Sequence, residues 1–326
     1  MLPPDGQSRP RAAQSPAGAL REIERLAAAT PSDTRLWNAA LAELRQGRAT
    51  DADVGAGAAT IGMAPVAVAV VTPYFREDLA TLRRCHESVL AQTHPCRHIM
   101  VADGFPRPEI GTWDVEHIRL PAANADYGDT PRVAGGERAL AQGCGAIAYL
   151  DADNSYRPRH VESMVGRSRS AQADVVFCGR TQHFPDGRML PRVDPQDCRG
   201  HIDTNCLLLA GRALAMTSAW LAYPRQLAMI DDRFVVRMLR ARGLRFACTG
   251  ALTVRYTVNY ASVYRELGLA VPPGARADFD ATPIAAHYRS LSAAQWQDID
   301  ARLGFPAAAF VRNFVMNWGI DLRQPD

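Results

Sequence analysis

Apolar runs alternate with helical patterns from about residue 65 to residue 260. Val66–Val71 contains only Val and Ala, which predicts a strand buried on both faces. Leucine and valine recur at helical spacing within Glu77–Gln92, and Arg97–Ala102 is again largely apolar. A strand, a helix and a second strand with a short crossover form a βαβ unit, whose crossover is right-handed.

The same alternation continues along the chain. Further predicted strands are His117–Leu120, Ala146–Leu150, Asp174–Cys178, Ile202–Leu209, Leu244–Cys248 and Leu252–Val258. Further predicted helices are Thr130–Ala141, Pro158–Arg169, a segment ending near Trp220, and Asp232–Arg242. Strands that alternate with helices indicate an α/β fold with a mostly parallel, Rossmann-like sheet flanked by helices.

The two ends of the chain differ from this middle part. Residues 1–19 are rich in Pro, Gly, Gln, Ser and Ala, which predicts a disordered tail. Helical patterns at Leu20–Ala29 and Ser32–Gly47, followed by a Gly- and Ala-rich stretch, predict a helical appendage and linker over residues 20–63. We expect the main domain over residues 64–262. Residues 263–326 form the predicted C-terminal helical extension, in which Ser292 and Gln295 match a capping box.

Charge and hydropathy limit the compartments and the binding partners that we expect for this protein. The formal net charge of the 326-residue chain is only +3, so no nucleic-acid partner is expected. No apolar run approaches the ~20 residues of a membrane span, and the N-terminus lacks a signal-peptide pattern. A cytoplasmic protein without a transmembrane segment is therefore expected. Peripheral membrane contact stays open.

The basic and sulfur-containing residues exclude some chemistries. All 37 basic residues are arginine, which excludes a Schiff-base lysine and a Walker-type phosphate loop. Any phosphate must then be bound by arginine, backbone N–H groups or a metal. The seven cysteines form no CxxC pair, and this pattern is typical of buried thiols in a reducing compartment.

Two carboxylates follow the predicted strand Ala146–Leu150. Asp151 and Asp153 stand at its carboxyl end with one residue between them, and ligands of open α/β sheets bind at that edge. Carboxylate oxygens in this arrangement suit a hard divalent cation whose other ligands are phosphate oxygens. Alternatively, these residues cap the helix that begins at Pro158 or lie solvated in a loop.

Four short motifs occur in a particular order between Pro65 and Tyr260. They are Thr72-Pro73-Tyr74, Ala102-Asp103-Gly104, Asp151-Ala152-Asp153 and Ile230-Asp231-Asp232-Arg233. In this order and spacing the sequence resembles family 2-type glycosyltransferases of the GT-A fold, over about two-thirds of the chain. The resemblance implies transfer of a sugar from a nucleoside-diphosphate sugar, a UDP- or GDP-sugar, to an acceptor hydroxyl. The acceptor is left open among glycans, lipid-linked molecules and small molecules.

The resemblance also implies a donor site and its cofactor. Thr72, Pro73, Tyr74 and Asp103 are expected to hold the base and ribose, although Ala102 stands where the family usually has another aspartate. Asp151 is expected at the ribose or in the metal shell, and Asp153 is expected to ligate Mg²⁺ or Mn²⁺. Such a cation neutralises the negative charge that develops on the leaving diphosphate.

The last motif carries the implied catalytic base. Asp232 stands at the position of the family's catalytic carboxylate, which removes the acceptor hydroxyl's proton and gives inversion. A like charge at Asp231, where the family usually has Glu, is expected to raise the pKa of one member of the pair. The plain alternative is that an aspartate here serves as the helix N-cap.

Four further residues are candidates for binding donor or acceptor. Arg132 is expected to clamp the diphosphate, or else to lie on a solvated helix face. Strand alternation directs Asp203 and Asn205 to one face, where Asp203 is a candidate ligand of the sugar or acceptor. His201 is a second candidate and a possible third metal ligand. Trp220 either stacks on a sugar ring or belongs to the core.

Three other functions compete with that of an inverting transferase. A retaining transferase shares the fold. A nucleotidyltransferase is disfavoured because no Gly-rich phosphate loop follows Val71. A non-catalytic scaffold or nucleotide-sugar-binding protein stays open, and binding of UDP or GDP with Mn²⁺ separates a transferase from a scaffold.

Overall fold

The computed structural model describes residues 66–194 and 201–322, and within them nine strands join into one sheet. The strands are β1 (Val68–Tyr74), β2 (Cys96–Ala102), β3 (Glu116–Arg119), β4 (Ala146–Tyr149), β5 (Ser155–Tyr156), β6 (Val175–His183), β7 (Met189–Asp194), β8 (Leu207–Ala210) and β9 (Phe246–Thr257). The predictions for residues 1–63, including the tail, the helices Leu20–Ala29 and Ser32–Gly47 and the linker, lie outside the described residues.

Eight α-helices and four 3₁₀ segments accompany the sheet in the described part of the chain. The α-helices are α1 (Leu79–Leu90), α2 (Asp129–Ala141), α3 (His160–Ala171), α4 (Asp231–Ala241), α5 (Ala261–Glu266), α6 (Thr282–Ser290), α7 (Ala293–Leu303) and α8 (Ala307–Asn317). The 3₁₀ segments are Pro108–Thr112, Thr204–Cys206, Gly211–Leu221 and Arg225–Ile230. Among the described residues, no helix combines the length and the apolarity that crossing a membrane requires.

The sheet confirms the predicted fold class. The strand order is β3-β2-β1-β4-β8-β6-β9-β5, with β7 paired to β6. Six strands, β1 to β4, β6 and β9, run in one direction, while β5, β7 and β8 oppose them. Every residue of β1 is buried, because β1 lies between β2 and β4 and helices flank the sheet. The chain is therefore an α/β protein with a mostly parallel sheet.

Two glycines allow α2 to pack closely on its neighbours. A Cβ atom at Gly135 would lie 2.4 Å from Cγ1 of Val71 on β1, and one at Gly136 would lie 2.1 Å from Cγ2 of Thr217. Both distances are far below van der Waals contact, so only glycine fits. This close packing fixes α2 against the centre of the sheet and brings Arg132, one turn earlier, to the carboxyl end of β4.

The predicted strand Ile202–Leu209 and the helix after it are wrong in detail. The strand β8 begins only at Leu207, because Thr204–Cys206 forms a 3₁₀ turn. The side chain of Asp203 accepts a hydrogen bond from the backbone N–H of Asn205 at 3.0 Å, and such local bonds compete with strand pairing. The segment predicted as a helix ending near Trp220 consists of 3₁₀ turns over Gly211–Leu221.

The two strands predicted over Leu244–Cys248 and Leu252–Val258 form one strand, β9. Cys248 pairs with Phe177, and Leu252 pairs with Gly179, so β9 contains extra residues between these pairs. Gly250 has a φ of +72° at this irregularity, a conformation that favours glycine. A β-bulge therefore absorbs the residues that the pattern indicated as a break.

The C-terminal helices share the core of the sheet domain. Side chains of α6, α7 and α8 belong to the same cluster of buried apolar residues as those of β1, β4 and β6. The ring of Phe234 on α4 lies 5.9 Å from that of Phe305 and 5.3 Å from that of Phe310. The predicted capping box of Ser292 and Gln295 is confirmed at the start of α7.

Candidate active site

The side chain of Arg132 joins two of the acidic motifs that are far apart in the sequence. Its Nη2 donates to Oδ1 of Asp151, just beyond the end of β4, at 2.8 Å. Its Nη1 donates to Oδ2 of Asp231, the first residue of α4, also at 2.8 Å. The arginine is buried, with 4% of its surface exposed. The guanidinium is therefore the hub of the site rather than part of a solvated helix face.

Arg132 is surrounded by more negative charge than it can balance. Asp129, one turn earlier on α2, lies 3.5 Å from Nη1, so three carboxylates share one guanidinium. Burial raises the pKa of Asp129, and the neighbouring charge of Asp231 raises it further. Burial also raises the pKa of Asp231, although Arg132 opposes the shift. The carboxyl groups around Arg132 thus outnumber the guanidinium, which favours their protonation or the binding of a further cation.

Trp220 lies beneath the hub. The guanidinium carbon of Arg132 is 4.9 Å from the centre of its ring, and the ring packs edge-on against Tyr149 at 5.2 Å. Only 1% of Trp220 is exposed. Trp220 therefore supports Arg132 and belongs to the core. Its ring does not stack on a sugar, because the guanidinium and the core side chains cover it.

Asn205 holds the other side of Asp151. Its Nδ2 donates to Oδ2 of Asp151 and to Oδ1 of Asp203, both at 2.8 Å. Its Oδ1 accepts from the backbone N–H of Asp151 at 2.6 Å. The predicted strand is absent here, yet Asp203 and Asn205 do share one side, because the 3₁₀ turn brings their side chains together. With Arg132, these bonds fix both oxygens of Asp151.

Asp232 is bonded to a different partner from Asp231. Its Oδ2 lies at hydrogen-bond distance from Nε2 of His201. Burial alone would raise the pKa of Asp232, but His201 and Arg233 lower it below the usual range. The expectation that one member of the pair has a raised pKa thus holds for Asp231 and not for the implied base Asp232. The helix N-cap is Ile230, so both aspartates lie in the first turn, where the helix dipole favours their charge.

Asp153 points toward a loop that follows β9. Its Oδ2 accepts from Nη2 of Arg276 at 2.8 Å, and its backbone carbonyl accepts from Oγ1 of Thr257 at 2.5 Å. Burial raises the pKa of Asp153 to about 6, while Arg276 opposes this shift. Both carboxylates of the DxD motif are therefore paired with arginine, Asp151 with Arg132 and Asp153 with Arg276.

The residues expected to hold the base lie in β1 and beside it, and they are buried. The strand continues through Thr72-Pro73-Tyr74, so these residues are not in an open loop. Thr72 Oγ1 lies 2.9 Å from Nε2 of His98, and the hydroxyl of Tyr74 lies 2.7 Å from Nε2 of His117. A Cβ atom at Gly128 would touch both Pro73 and the guanidinium carbon of Arg132, at 3.2 and 3.4 Å. This sheet edge is thus continuous with the Arg132 cluster.

Asp103 holds a neighbouring loop. Its Oδ1 accepts from the backbone N–H of Asn124 at 2.8 Å, and its Oδ2 accepts from that of Ala125 at 2.9 Å. At Gly104, φ is +78° and a Cβ atom would lie 2.4 Å from the backbone nitrogen of Ala123, so this position requires glycine. The Asp103-Gly104 pair therefore anchors the segment that leads into α2.

The donor set of the cluster fits a divalent cation. In the described ranges, six aspartates meet three arginines and one histidine here, and burial raises the pKa of several of the carboxyl groups. The aspartates are Asp129, Asp151, Asp153, Asp203, Asp231 and Asp232. Ligand atoms of His201, Asp203 and Asp232 also lie within 4.8 Å of one another, and Arg180 pairs with Asp203 just as arginines pair with Asp151 and Asp153. Asp151 and Asp153 offer oxygen ligands alone, which suit Mg²⁺ and Mn²⁺.

Three contacts at this site were not predicted. Arg276 lies beyond the predicted main domain and in no motif, Asp129 directly precedes the predicted helix Thr130–Ala141, and Arg180 follows a run of apolar residues. The partners of Arg276 and Arg180 come from distant segments, so no local pattern predicts them. Asp129 pairs with Arg132 three residues later, but the charge of Asp231 beside it comes from a distant segment. The lack of lysine was the only signal that arginines would supply the cations.

Among the solved structures to which this chain is similar are those of one protein, S. aureus TarS. No known protein-family model matches the sequence, and no curated protein matches it. A crystal structure of S. aureus TarS 1–349 aligns with a TM-score of 0.49 and 12% identity over 78% of this chain and 76% of that chain. Its complex with UDP gives 0.45 and 12% over 77% and 88%, and its complex with UDP-GlcNAc gives 0.44 and 12% over 78% and 76%. Likeness of this degree assigns neither substrate nor mechanism.

Proposed function

We propose that this protein transfers a sugar from a nucleoside-diphosphate sugar to an acceptor hydroxyl, with inversion and with a divalent cation. The observation that carries the proposal is the double contact of Arg132, which joins Asp151 at the DxD motif to Asp231 beside Asp232. A donor-side carboxylate and a candidate base thus converge, although their motifs are distant in the sequence. Such convergence of acids at the carboxyl edge of a sheet is typical of an active site.

Asp232 acts as the general base in this proposal. His201 and Arg233 keep its pKa below the usual range, so it is ionised at neutral pH. His201 also bonds one of its oxygens and orients the carboxylate. The acceptor hydroxyl gives its proton to Asp232 while its oxygen bonds to the anomeric carbon, and the bond from that carbon to the diphosphate oxygen breaks on the opposite face.

The donor side neutralises the leaving group. Asp151 and Asp153 would hold Mn²⁺ or Mg²⁺, which when bound supplies positive charge at the diphosphate. Arg132 and Asn205 keep Asp151 in a single orientation. Preorganised groups of this kind stabilise the charge that develops in the transition state.

Thr72, Pro73, Tyr74 and Asp103 complete the donor site in this proposal. The Thr72-Pro73-Tyr74 stretch of β1 is buried, so it would support the floor of the base and ribose site from within the fold. Asp103 fixes the segment at Asn124 and Ala125, which borders that floor. Gly128 connects the floor to Arg132, so base and diphosphate can be bound side by side.

A thermal-shift screen with and without Mn²⁺ tests the donor site. UDP and UDP-GlcNAc, with which TarS was solved, are the first probes, and GDP is the comparison. A nucleotide at 100 times its dissociation constant should stabilise the fold by ~2.7 kcal/mol, and this stabilisation should require Mn²⁺. Asp153→Asn should remove the Mn²⁺-dependent part.

Asp186→Asn is the matched control for the screen. Asp186 lies in the exposed turn between β6 and β7 and pairs with Arg188, so this variant should respond like the wild type. If no nucleoside diphosphate stabilises the wild-type protein with Mn²⁺ present, the transferase proposal fails. A non-catalytic scaffold would then be the better interpretation.

A further inference from the structure

Arg276 reaches the DxD motif from a loop that belongs to neither the sheet nor a helix. Its backbone is nevertheless fixed: its N–H donates to the carbonyl of Asn259 at 2.6 Å, and its carbonyl accepts from the N–H of Ala261 at 3.0 Å. A parallel bridge between Tyr260 and Arg276 results. The position of the Arg276 backbone therefore does not depend on the ion pair that its side chain makes.

The side chain of Arg276 is held much more weakly than its backbone. Its side chain is 53% exposed, and it contacts one oxygen of Asp153 at 2.8 Å. The partner carboxylate is less exposed, with 21% of the Asp153 side chain accessible, so the pair is open to solvent on the arginine side. When the pair opens, the guanidinium can turn into solvent, while the anchored backbone keeps it within reach of the site.

Arg276 pairs with one oxygen of the carboxylate that would ligate the metal ion. A guanidinium and a divalent cation on the same carboxylate repel each other strongly in a partly buried site. A cation at Asp153 would therefore compete with Arg276 for this carboxylate. A guanidinium released from Asp153 would remain close to a diphosphate bound at that cation, and arginine binds phosphate oxygens through paired N–H donors.

We propose that Arg276 is an exchangeable cation of the donor site. Without donor it neutralises Asp153, and when the metal–nucleotide complex arrives it releases Asp153 and binds the diphosphate. This inference rests on the proposed donor function and deepens it, since it assigns a second arginine to the leaving group. Arg276 thereby lowers affinity for the free metal and raises affinity for the metal-bound nucleoside diphosphate.

Two binding measurements on Arg276→Gln test the exchange. Without nucleotide, Mn²⁺ titration followed by electron paramagnetic resonance should show about three- to tenfold tighter binding in the variant, because Asp153 is no longer neutralised. At saturating Mn²⁺, calorimetry should show about ten- to a hundredfold weaker UDP binding, because a charge-assisted hydrogen bond is lost. Uridine, which has no phosphate, should bind equally to both proteins.

Arg265→Gln is the matched control. Arg265 lies on α5 and pairs with Asp278 in the same loop region, so its loss tests loop stability without touching Asp153. It should leave both affinities unchanged. Equal thermal unfolding of the two variants establishes that the chain remains folded.

Opposite changes in Mn²⁺ and UDP affinity support the exchange. If both affinities fall together, Arg276 only supports the structure, and if neither changes, it plays no part in binding; either result overturns the inference. If wild-type protein binds neither Mn²⁺ nor UDP, the donor function itself fails and the inference fails with it. If the wild-type protein binds both Mn²⁺ and UDP and Arg276→Gln binds them equally well, the exchange is refuted while the donor function stands.

Discussion

Arg132 and Arg276 pair with the two aspartates of one motif but differ in burial. The side chain of Arg132 is 5% exposed and has three carboxylate neighbours, whereas that of Arg276 is 53% exposed and contacts one carboxylate. A buried cation is a fixed part of the structure, because removing it leaves charges without compensation. An exposed cation can change partners. The Arg132 side of the site is therefore held by several buried ion pairs, and the Arg276 side is the one on which the proposed exchange depends.

The buried side also contains the excess charge. Around Arg132, the pKa values of Asp129 and Asp231 are raised by burial, while Asp232 on the other side of α4's first turn is bonded to His201 and has a lowered pKa. The pKa values of the two adjacent aspartates thus shift in opposite directions because their partners differ. Substitutions of Arg132, Asp232 and Asp129 test this difference between the surroundings of Asp231 and those of Asp232.

Arg132→Met should have the largest effect. It removes the guanidinium shared by Asp129, Asp151 and Asp231, and breaking a buried pair in this way typically costs ~3–5 kcal/mol of unfolding free energy. Urea unfolding measures the loss. Arg138→Met is the control on the same helix, since Arg138 is half-exposed and pairs with Glu116, and it should cost under ~1 kcal/mol. Equal losses in the two variants would contradict the central role of Arg132.

Asp232→Asn should affect turnover and leave the fold intact. Loss of a general base typically lowers the rate ~10²–10⁴-fold, while UDP affinity should stay the same because Asp232 lies outside the donor side. Release of UDP from the nucleotide sugar measures turnover. Asp298→Asn, on the exposed face of α7, removes the same charge elsewhere and should be silent. Retained turnover in Asp232→Asn would refute its assignment as the base.

Asp129→Asn should change how stability depends on pH. Because the pKa of Asp129 is raised in the folded protein, the native state binds more protons than the unfolded state above about pH 4, so stability falls as pH rises toward the raised pKa. Asparagine cannot ionise. In the variant, the fall of unfolding free energy with rising pH should therefore be smaller, by up to ~1.4 kcal/mol per pH unit. Urea unfolding between pH 5 and pH 8 measures this pH dependence. If the unfolding free energy of the variant depends on pH as in the wild type, the pKa of Asp129 is not raised in the folded protein.

Most of the sheet could be predicted because its signals are local. The apolar runs that end at Tyr74, at Ala102 and before Asp151 became β1, β2 and β4, since a strand buried on both faces must be apolar along its length. The same patterns put Asp151 and Asp153 at a strand end and Asp231 and Asp232 at a helix start. The sequence therefore predicts the acids of these two motifs but not the side chains that pair with them.

The partners and the irregular segments could not be predicted in this way. Ile202–Leu209 has the composition of a strand, but the bond from Asn205 to Asp203 turned its first half into a 3₁₀ segment. Trp220 has the same local sequence whether it faces a sugar or supports Arg132. The local conformation and the burial of these residues depend on which groups from distant parts of the sequence lie beside them in the folded chain.

Residue order alone therefore specifies the strands, the helix starts and the acidic character of this site, because periodicity and end signals act over a few neighbouring positions. Only the folded chain decides that Arg132 and not a solvated arginine forms the hub, and that Arg276 reaches Asp153. The physical reason is that ion pairing and burial depend on distances in space, and close packing of α2 and anchoring of a late loop set those distances.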